Sequence, residues 1–274
     1  MAEIKSADVV KLRKATGAGM MDCKKALQEA NGDFEKAVEV LRKKGQAIAS
    51  KRADREASEG NVQAKVKGNF GAIVALNCET DFVSKNEDFI KLVASILDLA
   101  LENKPSDLEA LKALPMDGKT VADVVTERSG VIGEKIELGY YDFIRAEKVQ
   151  VYNHFSNMLS TLVGFNKADV DEQVAKDVAM QVAAMSPVAV DKDDVPAEVI
   201  AKEKELGREK ALQEGKPENI VDRIAEGMVT KFLKDNTLLN QEFTKDAKKT
   251  VGQYLKESDK DLKVTGFKRY SVKD

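Results

Sequence analysis

Few side chains in this sequence have the types and spacing needed for covalent or metal chemistry. His154 is the only histidine among 274 residues, and the two cysteines, Cys23 and Cys78, lie far apart. A single imidazole excludes HExxH zinc sites and other multi-histidine centres, and the lack of a CxxC pair excludes a zinc knuckle or redox dithiol. A thiol is an effective nucleophile only beside a base, and the apolar periodicity places both cysteines on inward faces. We therefore expect structural cysteines, no metal and no cofactor, rather than a cysteine enzyme.

Two glycine-containing segments resemble phosphate-binding loops only in part. Gly118-Lys119-Thr120 has the last three residues of a GxxxxGK[ST] loop, but Ala113 stands where the first glycine is needed and Pro115 interrupts the segment. Gly17-Ala18-Gly19 lacks the third glycine of the dinucleotide fingerprint and does not follow a predicted strand. We interpret both segments as turns beside helices, so the sequence predicts no nucleotide pocket.

Three further segments have side chains suited to binding another protein. Met20-Met21 follows a glycine-rich turn, where flexible thioethers serve either as core residues or as an adaptable docking surface. Phe82 lies in Thr80-Asp81-Phe82-Val83, between a predicted strand and a predicted helix, and is either an exposed anchor or a hydrophobic staple folded onto that helix. His154, beside Phe155, has the position of an ordinary turn histidine. The residues alone leave these alternatives open.

The composition limits the class of protein. The 44 basic and 47 acidic side chains give a formal net charge of -3, whereas a nucleic-acid-binding domain typically has a pI above about 9. No run approaches the ~18 apolar residues of a membrane span, and residues 1–8 include acids rather than an apolar signal sequence. Two isolated cysteines are typical of a reducing compartment. We expect a soluble, cytoplasmic protein that binds neither nucleic acid directly nor a membrane.

The apolar periodicity predicts a three-helix bundle at the N-terminus. Ser6 is predicted to cap the first helix, Gly32 to end the second and Asp33 to cap the third. Residues at helical spacing form the predicted core: Val9, Leu12, Cys23, Ala26, Leu27, Ala30, Phe34, Ala37, Val38 and Leu41. Residues 1–55, including a basic helical linker from residue 43, have 13 basic and 8 acidic side chains. This excess of positive charge indicates a separate module.

From Asn61 the apolar period changes from 3.6 to 2. Two strands joined at Gly68-Asn69 form a predicted hairpin. Ser84 has the spacing to cap the next helix, whose buried stripe is Phe89, Leu92, Val93, Ile96, Ala100 and Leu101. Helices are also predicted at 108–114 and 120–129, before a strand at 136–140. Because strands at 149–151 and 158–165 and a helix at 174–185 repeat the hairpin-then-helix order, we predict two related α+β subdomains.

The segment after Pro196 is highly charged. Residues 197–214 include nine charged side chains among 18, Gly215-Lys216-Pro217 predicts a turn, and apolar residues at 220–232 predict a returning helix. Two such helices bury mainly their common seam, so we predict a protruding helical hairpin. Residues 244–257 are predicted as a helix and 262–272 as a strand with a bulge at Gly266.

Two long segments are similar to those of a known family. LRKATGAGMMDCKKAL, from Leu12 to Leu27, closely resembles the N-terminal signature of the bacterial elongation factor Ts family, and LNCETDFVSK, from Leu76 to Lys85, resembles its second signature. The resemblance continues through four shorter strings: MQVAAMSP from Met180, EGKPENI from Glu214, KTVGQYLKE from Lys249 and VTGFKRY from Val264. It covers nearly the whole chain in the expected order and is therefore highly specific.

The resemblance implies a guanine nucleotide exchange factor for elongation factor Tu, without covalent chemistry of its own. Such a factor binds its partner both with GDP and without nucleotide. The family loop that displaces the partner's magnesium corresponds to Thr80, Asp81, Phe82 and Val83, with Asp81 and Phe82 as the leading residues. The partner-binding residues carried over in the same way are Met20, Met21, Lys24, Ile132, Gly133 and His154. After His154 the family's glycine- and arginine-containing segment is replaced by residues 155–160.

The residues and the resemblance together predict an α+β fold of four parts. These are a ubiquitin-associated-like three-helix module with its linker at 1–55, a core N subdomain at 56–140, a core C subdomain at 141–195 and 235–274, and the protruding hairpin at 196–234. Both core subdomains are expected to contain antiparallel sheets. The alternative function is an adaptor or scaffold that binds translation components without nucleotide exchange, which the second signature disfavours. Homodimer formation stays open.

Overall fold

The chain begins with three packed helices. The computed structural model describes residues 4–273, so the first three residues of the predicted 1–55 module, and Asp274, lie outside the described residues. The helices are α1 (Ser6–Thr16), α2 (Met20–Glu29) and α3 (Phe34–Lys51). They enclose a buried cluster that includes Leu12, Cys23 and Leu27. The predicted bundle is confirmed, and α3 continues without a break into the segment predicted as a linker.

The ends of these helices follow from local backbone chemistry. Gly17 ends α1 in the left-handed region, with φ of 72°, where a residue without Cβ is unstrained. Asp33 caps α3 by accepting a hydrogen bond from the backbone N–H of Lys36 at 3.1 Å. The predicted cap at Ser6 is wrong, because Ser6 is already the first helical residue and the extended Lys5 precedes it.

An antiparallel sheet with its helices follows the bundle. The elements of this part are β1 (Glu59–Lys67), β2 (Phe70–Cys78), α4 (Asp81–Ser84), α5 (Glu87–Asn103), α6 (Leu108–Ala113), β3 (Pro115–Met116), β4 (Lys119–Thr120), α7 (Val121–Ile132) and β5 (Ile136–Arg145). The sheet has the order β1-β2-β5, and Gly68-Asn69 joins β1 to β2 as predicted. Gly118 forms the turn between β3 and β4, and Thr120 caps α7. The segment that partly resembles a phosphate loop is therefore a turn and a helix cap.

A second antiparallel sheet forms the rest of the core. Its part of the chain contains β6 (Lys148–Asn153), β7 (Leu159–Phe165), α8 (Glu172–Met185), a 3-10 turn (Lys192–Asp194), α9 (Ala197–Gln213), α10 (Glu218–Asn236), β8 (Glu242–Phe243), β9 (Asp246–Thr250), α11 (Val251–Ser258) and β10 (Val264–Ser271). The larger sheet has the order β10-β7-β6. The register of β10 on β7 shifts between Val264 and Gly266, which confirms the predicted bulge. The prediction of one helix at 244–257 is wrong. Residues 246–250 form β9, and α11 begins only at Val251, with Thr250 as its cap.

The two three-stranded sheets pack face to face, so β2 is buried on both sides. The sequence pattern predicts one buried face, whereas all nine residues of β2 are buried. Phe70 and Val74 pack on the side of α5, while Ile73 and Ala75 contact Leu162 of the second sheet. The helix α8 covers the outer face of the second sheet. The core is therefore a sandwich of two sheets between two helical layers.

The three-helix bundle is attached to the core by a close contact between α3 and α7. A Cβ atom built on Gly130 of α7 would lie 2.0 Å from the Cα atom of Gly45 in α3. Two helix backbones approach this closely only where neither residue has a side chain. Because Val121 and Val125 of α7 belong to the core of the first sheet, this contact joins the bundle to that sheet.

The helices α9 and α10 form an antiparallel pair and pack mainly on each other. Gly207 of α9 lies against Ala225 of α10, and the ammonium nitrogen of Lys204 lies 3.1 Å from a carboxylate oxygen of Glu226. The remaining surface of the pair is largely polar, which agrees with its charged sequence. Within residues 4–273, no helix has both the length and the apolar character needed to cross a membrane.

Two other sequence-based boundaries differ from the structure. The predicted division at residue 140 falls inside β5, because this strand stays paired with β2 as far as Arg145. Ser84 does not cap α5, because its hydroxyl donates to the backbone carbonyl of Asp81. The cap is Asn86, whose side-chain oxygen accepts hydrogen bonds from the backbone N–H groups two and three residues later.

Candidate protein-binding site

The Thr80–Val83 turn follows the end of β2, with Thr80 as the cap and the other three residues as the start of the single-turn helix α4. Thr80 is extended, with φ of -127° and ψ of 155°. The Asp81 carbonyl accepts hydrogen bonds from the Ser84 hydroxyl, at 3.1 Å, and from the backbone N–H of Lys85, also at 3.1 Å. The turn is therefore closed by local hydrogen bonds and does not depend on packing of Phe82.

Phe82 is directed into solvent from this turn. Its side chain is 85% exposed, whereas the neighbouring Val83 is half-buried and packs against the core of the first sheet. The staple alternative is therefore wrong, since Val83 and not Phe82 makes the apolar contact. A large apolar ring held on a short turn is suited to inserting into a pocket of another protein.

Asp81 is a charged neighbour of Phe82. One of its carboxylate oxygens lies 2.7 Å from the ammonium nitrogen of Lys85, and both side chains are exposed. The hydrogen bond from Lys85, together with its positive charge, lowers the pKa of Asp81. Asp81 is consequently ionised at neutral pH, and the turn presents an aromatic ring beside a carboxylate.

The structure places Ile132-Gly133 next to this turn. Gly133 ends α7 in the left-handed region with φ of 82°, and Ile132 packs on the first core. The following residue, Glu134, accepts hydrogen bonds from the backbone N–H and the hydroxyl of Thr80. Two segments separated by about 50 residues in the sequence thus form one continuous surface.

Met20, Met21 and Lys24 lie on the surface of the three-helix bundle at the start of α2. Met20 is 40% and Met21 is 65% exposed, and Lys24 is exposed. The core alternative for the methionine pair is therefore wrong, because Cys23, Ala26 and Leu27 fill the interior instead. Exposed, flexible thioethers beside a lysine are chemically suited to an apolar surface that also has negative charge.

His154 lies in the turn between β6 and β7. Its Nδ1 is 2.8 Å from the hydroxyl oxygen of Ser156, and its ring centroid is 4.3 Å from that of Phe155. Phe155 is 89% exposed. Phe155 was not among the predicted binding residues, although its place between a histidine and a serine in a hairpin turn favours an exposed ring.

The β6–β7 turn and the Thr80–Val83 turn lie at the same end of the sandwich. The N–H of Val62, near the start of β1, donates to the carbonyl of Asn157 in the β6–β7 turn at 2.7 Å. The start of β1 also pairs with the end of β2, since Glu59 lies opposite Cys78. Both exposed aromatic rings therefore belong to one end of the molecule.

The two cysteines are structural. Cys23 and Cys78 are free and buried, and the Cys78 thiol donates to the carbonyl of Thr80 at 3.2 Å. Burial, reinforced by the negative charges of Glu134 and Glu59, raises the pKa of the Cys78 thiol to about 12, so it is protonated at neutral pH. Within residues 4–273, no group of three or more His, Cys, Asp or Glu side chains has the arrangement of a metal site.

Comparison with known proteins agrees with the two signatures. The family model described as "Elongation factor TS" matches residues 79–274, a stretch that begins at the base of the Thr80–Val83 turn. The chain belongs to the elongation factor Ts family. Elongation factor Ts of Porphyromonas gingivalis is 55% identical over 266 residues, which cover 97% of each chain. Elongation factor Ts of Christiangramia forsetii is 50% identical over 99% of this chain and 100% of its own length.

A third elongation factor Ts, from Bacteroides fragilis, is 47% identical over 97% of this chain and 98% of its own length. The three relatives therefore align with the three-helix bundle as well as with the two sheets. The family resemblance predicted from the Leu12–Leu27 and Leu76–Lys85 segments is confirmed.

Proposed function

We propose that this protein is the guanine nucleotide exchange factor for elongation factor Tu and works without covalent chemistry of its own. The observation that carries the proposal is the almost fully exposed ring of Phe82, held on a turn that its own hydrogen bonds close. A free protein gains nothing from exposing such a ring, because burial of an aromatic side chain is favourable. Membership of the elongation factor Ts family supports the choice of partner.

The proposed mechanism is distortion of the partner's magnesium and phosphate site. Mg²⁺ requires near-octahedral geometry and bridges protein oxygens to phosphate oxygens, so small displacements weaken its binding steeply. Phe82 cannot coordinate a metal, and we assign it the role of an apolar wedge that displaces the elements around the ion. Asp81, ionised beside it, adds a hydrogen-bond acceptor and a negative charge. Thr80 and Val83 hold these two residues in place.

Thermodynamic linkage relates the binding of this protein to the binding of GDP by the same partner. If the protein weakens GDP binding by a given factor, GDP weakens binding of the protein by the same factor, and each tenfold change is about 1.4 kcal/mol. The protein therefore binds both GDP-bound and nucleotide-free elongation factor Tu, with preference for the nucleotide-free form. It accelerates release without choosing the incoming nucleotide, so the cellular excess of GTP determines the outcome.

We propose that the other predicted residues enlarge the same interface. Met20, Met21 and Lys24 would dock the three-helix bundle on the partner, and Ile132-Gly133 would contact it beside the Thr80–Val83 turn. His154 would contact a more distant part of the partner, and exposed Phe155 supports a role for that turn. The protein itself is expected to need no cofactor and to act in the cytoplasm.

The architecture supports a more detailed assignment. We propose that α1 to α3 form a ubiquitin-associated-like module and that the two three-stranded sheets belong to related subdomains. Both sheets have the second strand of a hairpin at the centre and a helix after that strand, which supports the repeat. We propose that the division between subdomains lies after Arg145, where β5 ends, rather than at residue 140, and that α9 and α10 form the protruding hairpin predicted at 196–234.

Release of fluorescently labelled GDP from the cognate elongation factor Tu tests the proposal. We expect release to accelerate with increasing concentration of the protein and to saturate. Binding to elongation factor Tu without any acceleration would refute exchange activity and favour the adaptor alternative. A lack of both binding and acceleration would refute the choice of partner.

A further inference from the structure

The pairing of β2 with β5 ends just below the Thr80–Val83 turn. Cys78 and Ile136 are the last paired residues of the two strands. Beyond them, the backbone N–H groups of Thr80 and Lys135 donate to side-chain carboxylates. The two chain segments therefore stay joined past the end of the sheet, but by charged side chains.

The two carboxylates bind in a reciprocal pattern. Glu134 accepts from the backbone N–H of Thr80 at 3.0 Å and from its hydroxyl at 2.7 Å. Glu79 accepts from the backbone N–H of Lys135 at 2.6 Å, so each segment provides one carboxylate and receives one. Hydrogen bonds to a charged acceptor are stronger than those between neutral groups. We call Glu79 and Glu134 the carboxylate bracket.

The carboxylate bracket determines the direction in which the chain leaves the sheet. Thr80 is the last residue held by it, and Phe82 follows only two residues later. The ring itself makes little contact with the rest of the protein, since it is 85% exposed. The position of Phe82 must therefore be set by the backbone below it.

Arg52 connects the bracket to the three-helix bundle. It is the residue that follows α3, and its Nη1 donates to both carboxylate oxygens of Glu79 at 2.9 and 3.0 Å. The two side chains are only 34% and 16% exposed. The hydrogen bond from the Lys135 backbone, followed by the interaction with Arg52, lowers the pKa of Glu79, so the carboxylate remains charged near neutral pH.

We propose that Glu79 and Glu134 are positioning residues for Phe82, and that Arg52 links the position of Phe82 to the three-helix bundle. The inference rests on the proposed exchange function. The bracket does not touch the nucleotide site in this proposal; it holds the wedge at the angle at which it enters that site. A displacement of about 1 Å in such a group can lower a rate on the order of 100-fold.

The first measurement is exchange by Glu134→Ala at saturating concentration. We expect the saturated rate of GDP release to fall by about tenfold or more, with a change of less than about threefold in the half-saturating concentration. Glu134→Gln should retain most of the rate, because its amide oxygen can accept from the Thr80 N–H and its amide nitrogen can donate to the Thr80 hydroxyl. Glu109→Ala, which removes an exposed carboxylate paired with Lys112, is the matched control.

The Arg52 link has its own expected order of effects. Arg52→Ala should lower the saturated rate less than Glu134→Ala does, because the bond from Lys135 still holds Glu79. Lys51→Ala, at the exposed preceding residue, is its control and should behave as wild type. An equal effect of Arg52→Ala and Lys51→Ala would remove the proposed link to the bundle.

The second measurement is amide hydrogen exchange of the free protein, which needs no partner. In Glu134→Ala, the Thr80 amide should exchange about tenfold faster or more, since it loses its acceptor, while amides in the middle of β2 keep wild-type protection. Glu134→Gln should restore protection at Thr80. Faster exchange throughout β2 would show a general loss of structure and overturn the positioning role.

The two measurements separate the inference from the proposed function. If the wild-type protein does not accelerate GDP release, the proposed function fails, and hydrogen exchange still decides whether the bracket holds the turn. If the wild type is active, an unchanged saturated rate in Glu134→Ala overturns the inference. A Gln variant as defective as the Ala variant would also overturn it, because charge rather than position would then be required.

Discussion

Replacement of Phe82 by alanine separates a wedge from a simple contact. Because the ring is 85% exposed in the free protein, its removal takes almost no apolar area out of the core. The variant should therefore fold and melt as wild type does. Any loss of function then reflects the interaction with elongation factor Tu.

The exposure of the ring sets the size of the effect. A phenylalanine side chain buries on the order of 200 Å², so about 170 Å² of this ring is available for burial on a partner. At about 25 cal/mol per Å², this area corresponds to about 4 kcal/mol, and the costs of association reduce it to roughly 2–4 kcal/mol. The expected loss is therefore about 30- to 1000-fold, since each 1.4 kcal/mol is about tenfold.

The assay shows whether the loss in Phe82→Ala is a loss of exchange rate or a loss of affinity. If Phe82 acts on the magnesium site, the loss should appear in the rate of labelled GDP release at saturating protein, measured by stopped flow in millimolar magnesium. Affinity for nucleotide-free elongation factor Tu should then be largely retained and should fall much less than the saturated rate. A ring that is only a contact would instead lower the affinity and leave the saturated rate unchanged.

Chelation of magnesium provides the decisive comparison. A chelator should accelerate GDP release from the partner by itself, because the ion no longer holds the phosphates. Wild type and Phe82→Ala should then differ much less, since both act on a site that already lacks its ion. An equal defect in both buffers would refute the magnesium mechanism.

Three further predictions concern the fold that carries the site. Replacing 197–234 with a short flexible linker should change the saturated exchange rate by less than about twofold, because α9 and α10 pack mainly on each other; a larger loss at an unchanged melting temperature would place partner contacts on this pair. Gly130→Ala should lower the free energy of unfolding by about 1–3 kcal/mol, because its Cβ would lie 2.0 Å from Gly45. Gly227→Ala, which has no atom within 4 Å of the added Cβ, should instead raise the free energy of unfolding by about 0.5–1 kcal/mol. If urea melts show that both variants change this free energy in the same direction, the close contact between Gly45 and Gly130 would be contradicted. Burial alone would raise the pKa of Asp177, but hydrogen bonds outweigh it and lower this pKa; they come from Lys245, Gln173 and Tyr254. The stabilising contribution of Asp177 is therefore present above its unfolded pKa of about 3.9 and is lost as the pH falls through the lower folded pKa. The difference in free energy of unfolding between wild type and Asp177→Asn, measured in urea melts, should shrink from pH 7 to about pH 2.5. A constant difference would refute this role of the Asp177 carboxylate.

Periodicity, glycine placement and turn chemistry were sufficient to predict most elements of the fold. The hairpin at Gly68-Asn69, the stripe of α5 and the bulge at Gly266 all depend on neighbours within a few residues, and all three are confirmed. The prediction failed at Ser84, which is the last residue of α4 and does not cap α5, and at 244–257, where β9 occupies the first part of the predicted helix. Asn86 and Thr250 are the caps, because they have the extended backbone that capping requires.

The candidate site was also predicted only in part from the sequence. The TDFV string and the MM pair mark segments that could contact a partner, but the residue types do not show which side chains face solvent. The structure decides this by packing, since Val83 joins the core and leaves Phe82 outside. Partner binding by Met20, Met21, Lys24, Ile132, Gly133 and His154 stays a prediction.

The order and type of most local elements, the family and the position of the Thr80–Val83 turn could be predicted from the sequence, because each of these depends on residues close together in the chain. How the turn is held became visible only from contacts between segments that are distant in the chain. Glu134 reaches Thr80 across 54 positions, and Glu79 reaches Lys135 across 56. These bonds depend on the register of β2 against β5, and the Gly45–Gly130 contact depends on how two helices cross. Local patterns constrain neither, because both arise only when distant segments pack together.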